Sequence, residues 1–302
     1  MLGRMLADLV IKPGGAPLFD NPANYGLAYE GVEFKAQDGV TVRGWLVNPG
    51  QDKVIVQTHF GVQCCRAGYT VEGKGMLKGY PTDIKFLHQI KHLADAGYTV
   101  LAYDLRHHGE SDPGTRKWIF DGQEEYKDVL AAVGFIIGHL DYKDAPIGLL
   151  SLCMGSSSTL LAYGIPGGLQ EVANIKAVIF VQPNYDGVFL KNFGAPGFLV
   201  NAANRSSIAR GGPDMFKSPL ERVAHVNVPT LVTQNRNDPW FDNDYVNGVY
   251  EQLKTEKEFL WFDGQKNRLD GYGYFGEHPE KMLEWFNRYV ITEQPVPRVV
   301  SA

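Results

Sequence analysis

Cysteine is the residue type in this sequence with the clearest capacity for covalent chemistry, and it occurs at Cys64, Cys65 and Cys153. Three cysteines in 302 residues do not make a disulfide framework, and an odd number leaves at least one free thiol. The sequence has no Cys-x-x-Cys pair that would indicate a zinc site. Cys64 and Cys65 are expected to pack in the interior. Cys153 differs, because its neighbours form a pattern typical of a nucleophile.

The segment 151–155 reads Ser-Leu-Cys-Met-Gly and lies between an apolar run and a predicted helix. A nucleophile at a sharp strand-to-helix turn needs small residues two positions before and after it, since the backbone there is strained and closely packed. Ser151 and Gly155 meet that requirement. The positive end of the helix that follows favours an ionised sulfur. The sequence therefore predicts a partly ionised, nucleophilic Cys153.

Together with two other segments, this turn resembles the α/β-hydrolase family. Residues 97–111 read Gly-Tyr-Thr-Val-Leu-Ala-Tyr-Asp-Leu-Arg-His-His-Gly-Glu-Ser, which is similar to the family's Gly-Tyr turn, buried strand and Asp-x-Arg-x-x-Gly-x-Ser loop. His-Phe-Gly at 59–61 resembles the loop that supplies one N–H of an oxyanion hole. With cysteine in place of serine, the turn at Cys153 resembles that of the dienelactone hydrolases. The resemblance extends over about residues 30–290.

The resemblance implies that an acid follows one of the later strands. Asp238, in Asn-Arg-Asn-Asp-Pro-Trp after the predicted strand 230–233, matches the position of the family's acid. Asp186, which follows the preceding strand, is the alternative. We therefore expect Asp238 to orient the catalytic base.

At the position of the base, the sequence departs from the family's pattern. The turn where the family's histidine is expected reads Gly-Gln-Lys-Asn at 264–267, so Asn267 stands in its place. The nearest histidine is His278, before the last predicted helix, and it is the candidate base beside Cys153 and Asp238. The alternative is that no histidine completes the set. A free thiol has a pKa of about 8.5, so a cysteine depends less on a base than a serine does.

The resemblance also implies which groups bind the oxyanion and the substrate. The N–H donors are expected at Met154 and at either Phe60 or Gly61. The candidates for substrate binding are His59, Tyr185, Phe189 and Trp240. His59 has a structural alternative, in which its imidazole bonds the backbone and holds the turn. The aromatic residues of the 182–228 segment have one as well, in which they seal that segment onto the rest of the domain.

The elements that must position these residues alternate between strand-like and helix-like segments. A β-hairpin is predicted over 32–47, followed by strands at 53–58, 98–103, 146–151, 176–181, 230–233 and 258–262 and by helices at 83–96, 123–139, 154–163, 246–253 and 279–290. This order predicts an α/β fold with a mainly parallel sheet flanked by helices, in which ligands bind beyond the carboxyl ends of the strands. Residues 182–228, with many Gly and Pro, are predicted to be a lid inserted in a single domain of residues 1–302.

Composition points away from several classes of function. A net charge of −5 and a pI of about 5.9 predict no binding to nucleic acids or to anionic membrane surfaces. The sequence contains no apolar run of about 20 residues and no signal-peptide pattern, so a cytoplasmic protein is expected. No cofactor motif is found, and His88 and His92, four residues apart, read as an exposed helix face rather than a metal site. A small-molecule substrate is expected, and the sequence leaves a homo-oligomer open.

Two hypotheses follow for the function. The first is a thiol-dependent enzyme that hydrolyses or transfers the acyl group of a small activated ester, lactone or thioester. The second is a relative of the same fold that uses the pocket for a lyase, isomerase or cyclase step, or for binding, without a complete catalytic set. The two hypotheses are distinguished by which residue occupies the position expected for the family's histidine. His278 folded beside Cys153 supports the first hypothesis, and Asn267 in that place weakens it.

Overall fold

The centre of the structure is an eight-stranded sheet. The computed structural model describes residues 1–61, 63–74 and 80–291. Its strands are β1 (Tyr29–Lys35), β2 (Thr41–Val47), β3 (Val54–Thr58), β4 (Cys64–Cys65), β5 (Gly68–Tyr69), β6 (Ile84–Lys85), β7 (Thr99–Tyr103), β8 (Ile147–Leu152), β9 (Ile175–Val181), β10 (Thr230–Asn235) and β11 (Lys257–Phe262). The large sheet runs in the order β1-β2-β7-β3-β8-β9-β10-β11, and β4, β5 and β6 form a small second sheet.

The large sheet is mainly parallel, as the sequence predicts. The hairpin β1–β2 is antiparallel, with Tyr29 opposite Val47 and Lys35 opposite Thr41, and β2 pairs antiparallel with β7. All other neighbouring strands of this sheet are parallel. Every residue of β3, β7 and β8 is buried, because helices cover both faces of the sheet at its centre.

Helices flank both faces. They are α1 (Leu2–Ile11), α2 (Phe86–Asp95), α3 (Tyr126–Gly138), α4 (Met154–Tyr163), α5 (Asp186–Asn192), α6 (Gly197–Ala209), α7 (Asn243–Gln252), α8 (Arg268–Tyr272), α9 (Tyr274–Glu277) and α10 (Glu280–Tyr289). Residues of α3, α4 and α7, such as Val129, Leu160 and Val246, pack in one core cluster. Residues of α2 and α10, such as Ile90 and Trp285, pack in a second cluster on the other face.

The segment 182–228 contains the helices α5 and α6 and a 3₁₀ turn at Pro219–His225. Helix α6 packs against α1, and a third core cluster that includes Ile11, Leu190 and Ala203 holds α1, α5 and α6 together. Neither α1 nor α6 is predicted from the sequence. The predicted domain also includes residues 292–302, which lie outside the described residues.

No helix in the part of the chain that the structure describes is long and apolar enough to cross a membrane.

Candidate active site

A narrow cavity of about 70 Å³ lies at the carboxyl ends of the parallel strands. This is the edge where ligands bind in sheets of this type. Loops that follow β3, β8, β9 and β10 contribute to its wall, together with α8. The lining residues that bear on chemistry are Phe60, Gly61, Asp121, Cys153, Met154, Tyr185, Asp186, Phe189, Trp240, Arg268 and Tyr272.

Cys153 occupies a strained turn between β8 and α4. Its backbone has φ 49° and ψ −107°, a conformation that residues with a side chain rarely adopt. Its N–H donates to the carbonyl of Val181 at 2.9 Å. A Cβ added to Gly155 would lie 2.6 Å from the carbonyl oxygen of Thr58, so the close approach of α4 to β3 requires glycine there. These features are those that the Ser-Leu-Cys-Met-Gly pattern predicts for a nucleophile turn.

Asp238 lies behind the cavity and is almost fully buried. Its Oδ1 accepts a hydrogen bond from the N–H of Trp240 at 2.9 Å, and its Oδ2 accepts one from Gln234 Nε2 at 2.9 Å. Oδ2 also pairs with the guanidinium of Arg268. The carboxylate is therefore held in one orientation by three donors.

Arg268 connects Asp238 to Cys153. Its Nη1 bonds the carboxylate, and its Nη2 donates to the carbonyl of Gln182 at 2.6 Å and to Cys153 Sγ at 3.3 Å. Both charged side chains are buried, with 3% of Arg268 and 0% of Asp238 exposed. The acid that the sequence predicts thus reaches Cys153 through an arginine that the sequence analysis does not single out.

The structure corrects the prediction for the histidine's place. Asn267 caps α8, since its Oδ1 accepts from the backbone N–H groups of Leu269 and Asp270, and it faces the helix rather than the sulfur. The neighbouring Arg268 takes the expected position. His278 is exposed and its ring contacts Tyr274 at a centroid distance of 4.9 Å. His278 does not line the Cys153 cavity.

Arginine in this position changes the chemistry. Burial alone would lower the pKa of Arg268, but its neighbours Tyr272, Asp238 and Cys153 raise it well above its usual value. A guanidinium that stays charged has no lone pair with which to accept a proton. Its Nη2 does donate a hydrogen bond to the sulfur at 3.3 Å. Arg268 can therefore bind the sulfur of Cys153 but cannot take a proton from it.

Tyr272 contributes a second contact to the sulfur. Burial raises the pKa of Tyr272 well above its usual value, as does the hydrogen bond with Cys153, while Arg268 lowers it. The phenol therefore stays protonated in this site. The Tyr272 ring also stacks on Phe60 at a centroid distance of 4.2 Å. The sequence offers no motif that would identify Tyr272, which lies on the same short helix as Arg268.

The residues predicted to form an oxyanion hole lie together. Phe60, Gly61 and Met154 all line the cavity with Cys153. The loop after β3 touches the start of α4, because a Cβ added to Gly61 would lie 3.0 Å from Met154 Sδ. Their role as N–H donors to an oxyanion stays a prediction.

His59 does not line the cavity, which corrects its assignment to substrate binding. The ring is buried, and its Nδ1–H donates to the carbonyl of Phe60 at 2.6 Å while its Nε2 accepts from the N–H of Leu105 at 3.0 Å. Burial, and then the neighbouring His108, lowers the pKa of His59 to about 3. A neutral imidazole with both nitrogens bonded to backbone ties two loops together, as in the structural alternative.

The three aromatic candidates Tyr185, Phe189 and Trp240 do line the cavity. Phe189 meets Trp240 edge to face at a centroid distance of 5.4 Å, and Phe193 contacts the same indole at 5.5 Å. These rings therefore form one apolar wall and also fix α5 against the loop after β10.

Two aspartates, Asp121 and Asp186, also line the cavity. The backbone N–H of Asp186 donates to Asp121 Oδ2 at 2.8 Å. Burial and the charge of Asp186 raise the pKa of Asp121 well above its usual value. Burial and the charge of Glu125 raise the pKa of Asp186 to about 7. The sequence analysis considers Asp186 only as an alternative acid and does not single out Asp121.

The remaining candidates lie elsewhere. Cys64 and Cys65 are buried free cysteines in the small sheet. His92 bonds the carbonyl of Gly276 at 3.1 Å, and His88 packs against Tyr25. Within residues 1–61, 63–74 and 80–291, no group of three His, Cys, Asp or Glu side chains could hold a metal ion.

Comparison with known proteins bears on the fold. The family described as serine aminopeptidase S33 matches residues 83–196, which is less than half of the chain. An esterase from Pyrococcus furiosus has a similar structure with a TM-score of 0.69 and 21% identity, over 93% of this chain and 99% of that one. Among curated proteins, no sequence matches this chain.

Two other solved structures are similar over nearly their full length. An α/β hydrolase from Penicillium sp. sh18 has a TM-score of 0.61 and 20% identity, over 87% of this chain and 99% of that one. A dienelactone hydrolase from Anabaena variabilis has a TM-score of 0.57 and 16% identity, over 88% of this chain and 99% of that one. With the strand order and the helices on both faces of the sheet, these similarities show that the chain has the α/β-hydrolase fold.

Proposed function

We propose that this protein is an enzyme in which Cys153 attacks the acyl carbon of a small activated ester, lactone or thioester. The observation that carries the proposal is the position of the sulfur, at a strained strand-to-helix turn and 3.3 Å from the buried guanidinium of Arg268. A thiolate, not a thiol, is the nucleophile of cysteine enzymes. The fixed charge of Arg268, held by Asp238, supplies that thiolate without proton transfer at the moment of attack.

The proposed reaction begins when the thiolate adds to the carbonyl carbon. The negative charge that develops on the carbonyl oxygen is stabilised by the backbone N–H groups of Met154 and of Phe60 or Gly61, which line the same cavity. Collapse of this intermediate expels the leaving group and leaves the acyl group on Cys153. Water completes a hydrolysis, and an alcohol or thiol completes an acyl transfer.

The absence of a base at Arg268 restricts the substrates. A poor leaving group must be protonated as it departs, and a guanidinium with a raised pKa does not exchange its proton at neutral pH. Thioesters, enol esters and strained lactones depart more readily. The relatives named as an esterase and a dienelactone hydrolase agree with an acyl substrate of this kind.

The 182–228 segment acts as a lid in this proposal. Its helix α5 brings Tyr185 and Phe189 to the cavity, and Trp240 joins them from the loop after β10. Because the cavity is narrow and largely apolar, we expect it to bind a short apolar acyl group better than a long or charged one.

One observation favours a second candidate function. Arg268 stands where a hydrolase of this fold is expected to hold its histidine, and it cannot return a proton to the reaction. The same pocket would then serve a lyase, isomerase or cyclase step, or only bind a small molecule. In that case Cys153 forms no acyl intermediate.

Intact-protein mass spectrometry separates the two candidates. Wild type, Cys153→Ala and the matched control Cys64→Ala are incubated with p-nitrophenyl acetate and with an acetyl thioester of N-acetylcysteamine. The proposal predicts one acetyl group per chain on wild type and on Cys64→Ala, and none on Cys153→Ala. Equal labelling of Cys153→Ala, or no labelling of wild type, would overturn it and leave the non-covalent candidate.

A further inference from the structure

The proposed acyl chemistry needs a proton donor and acceptor that Arg268 cannot provide. A leaving oxygen or sulfur takes up a proton, and an attacking water, alcohol or thiol gives one up. Among the residues that line the cavity, Asp121 and Asp186 carry the acidic side chains. These two aspartates are therefore the candidates for donating and accepting that proton.

The geometry of the pair is specific. Asp186 is the first residue of α5, and its backbone N–H donates to Asp121 Oδ2 at 2.8 Å. Asp121 has φ 47°, in the left-handed region that residues with a side chain seldom adopt. The fold thus holds both carboxyl groups against the cavity that contains Cys153.

A further observation concerns Tyr245, whose ring contacts that of the cavity residue Tyr185 at a centroid distance of 5.0 Å. Tyr245 is 5% exposed, and its hydroxyl has no hydrogen-bond partner among the described residues. The charges of Asp121, Tyr185 and Cys153 all act on this phenol, so it lies within their electrostatic reach. An unsatisfied buried polar group at such a place is explained by a polar ligand or a water that is bound there during function.

We infer that Asp121 and Asp186 are the proton-transfer pair of the Cys153 cavity, giving a proton to the leaving group and taking one from the acyl acceptor. This inference rests on the proposed function. In this role the pair would take the place of the histidine that the family resemblance implies, in whose position this chain has Arg268.

The charges around the pair are suited to this role. The titratable groups that face it are Glu125, Cys153, Tyr185 and Tyr245. Neighbouring carboxyl groups that are buried with a third acid do not ionise together easily. Burial and Glu125 raise the pKa of Asp186 to about 7, and burial and the charge of Asp186 raise that of Asp121 well above its usual value. The pair therefore retains a proton to donate at neutral pH.

The proton balance closes over the two steps. In the first, the bond from Cys153 Sγ to the acyl carbon forms, the bond to the leaving oxygen or sulfur breaks, and the pair protonates the leaving atom. In the second, the acceptor's oxygen or sulfur bonds to the acyl carbon and its proton returns to the pair. The carbon–sulfur bond to Cys153 then breaks and restores the thiolate beside Arg268.

The test compares acylation with deacylation in Asp121→Asn and Asp186→Asn. With p-nitrophenyl acetate the leaving group needs no proton, so the initial burst of p-nitrophenolate should match wild type. Hydrolysis of the acetyl-enzyme should fall about 100-fold or more, as is usual when a general base is removed. With phenyl acetate, a poorer leaving group, acylation should also slow. The matched control is Asp144→Asn, an aspartate whose side chain is 88% exposed.

The outcomes distinguish the two proposals. If wild type shows no burst, the nucleophile itself is wrong. If wild type shows a burst and both asparagine variants turn over at the wild-type rate, the carboxyl pair is wrong and the nucleophile stands. The size of the burst reports the fraction of each variant that is folded, so a misfolded sample is recognised.

A second measurement needs no variant. In wild type, the rate of acetyl-enzyme hydrolysis should rise with pH and level off above about pH 7, where Asp186 is ionised. A rate that continues to rise tenfold per pH unit to pH 9 indicates hydroxide as the only base and would overturn the assignment.

Discussion

At the scale of single residues, the site depends on the difference between a guanidinium and an imidazole. An imidazole in this place takes the proton of the nucleophile and later returns it. Arg268 instead holds a permanent charge between Asp238 and Cys153. Because a thiol ionises far more easily than a hydroxyl, a fixed charge suits cysteine and would leave a serine inactive.

The first prediction concerns Arg268→Met, which keeps much of the side-chain volume and removes the charge. Asp238 would remain buried with only Gln234 and the Trp240 N–H as donors. Breaking one side of a buried ion pair lowers the free energy of unfolding by about 3–5 kcal/mol, measured by urea denaturation. The rate at which iodoacetamide alkylates Cys153 at pH 7 should fall about tenfold or more.

The control for this prediction is Arg236→Met. Arg236 also pairs with a carboxylate, Asp263, but its side chain is 54% exposed. An exposed pair contributes at most about 1 kcal/mol, so stability and alkylation should stay near wild type. An Arg268→Met protein as stable and as reactive as this control would show that the buried guanidinium does not support the thiolate.

The sequence identifies part of this site and misses part of it for a physical reason. Cys153 and Asp238 stand in short patterns tied to strand ends, so their positions can be predicted. Arg268 does not, because the family resemblance implies a histidine at this turn and Asn267 stands in that place in the sequence. In the structure Asn267 caps α8, so Arg268 is the first residue of that helix. Asp121 gives no local signal, because only the tertiary fold brings it to Asp186.

At the scale of elements, the unit that positions the nucleophile is β8, the turn and α4. Ser156 Oγ donates to the carbonyl of Ser151 at 2.8 Å, and the hydroxyls of Ser151 and Thr159 bond each other at 2.8 Å. These buried contacts join the strand to the helix. They hold the strained backbone of Cys153 from both sides.

The second prediction is the effect of Gly155→Ala in this unit. Alanine normally stabilises a helix by about 1 kcal/mol relative to glycine. Here its Cβ would lie 2.6 Å from the carbonyl oxygen of Thr58 and 2.9 Å from that of His59, so α4 must move. We expect the free energy of unfolding to fall by about 1–3 kcal/mol and the acetyl-enzyme burst to shrink.

Gly134→Ala is the matched control. Gly134 lies inside α3, is exposed, and a Cβ there would meet no atom within 4 Å. This variant should gain stability by up to about 1 kcal/mol. If both alanines stabilise the protein in thermal and urea denaturation, the turn does not depend on close contact between α4 and β3.

Most elements of the sheet can be predicted because their patterns are local. Buried apolar runs bounded by turns give the parallel strands, and helical spacing gives α2, α3 and α10. The predicted helix 123–139, for example, is Tyr126–Gly138. Helices α1 and α6 are different, since each buries its apolar face mainly against the other. The contact joins residues about two hundred positions apart in the sequence. Neither segment alone therefore shows a periodic pattern that predicts it.

At the scale of the whole molecule, the fold buries several carboxyl groups at once. Burial raises the pKa of Asp104, Glu125 and Asp128, although Arg66 lowers that of Asp104 and Arg106 lowers that of Asp128. Asp186 has no such ion pair among the described residues to offset its burial, and its pKa is about 7. A carboxyl group with a raised pKa stabilises the fold only while it is protonated.

The third prediction follows from the direction of this pKa shift. Because the pKa of Asp186 rises from 3.8 to about 7 on folding, its contribution is complete below about pH 4 and is lost as the pH rises through 7. Asp186→Asn cannot ionise, so its Tm relative to wild type should increase by several degrees between pH 5 and pH 8. For Asp144→Asn, calorimetry should find a difference that does not change with pH. A constant difference for Asp186→Asn would contradict the raised pKa.

The most direct test of the central claim, that Cys153 is a nucleophile activated by a fixed charge, is the acylation of Cys153→Ser. Intact-protein mass spectrometry after incubation with p-nitrophenyl acetate measures it. We predict one acetyl group per chain on wild type and none on the serine variant, because Arg268 cannot accept the proton of its hydroxyl and the Asp121–Asp186 pair acts on the leaving group and the acyl acceptor. Acylation of Cys153→Ser at the wild-type rate would contradict activation by a fixed charge, since it would require a base that takes the proton of the attacking group itself.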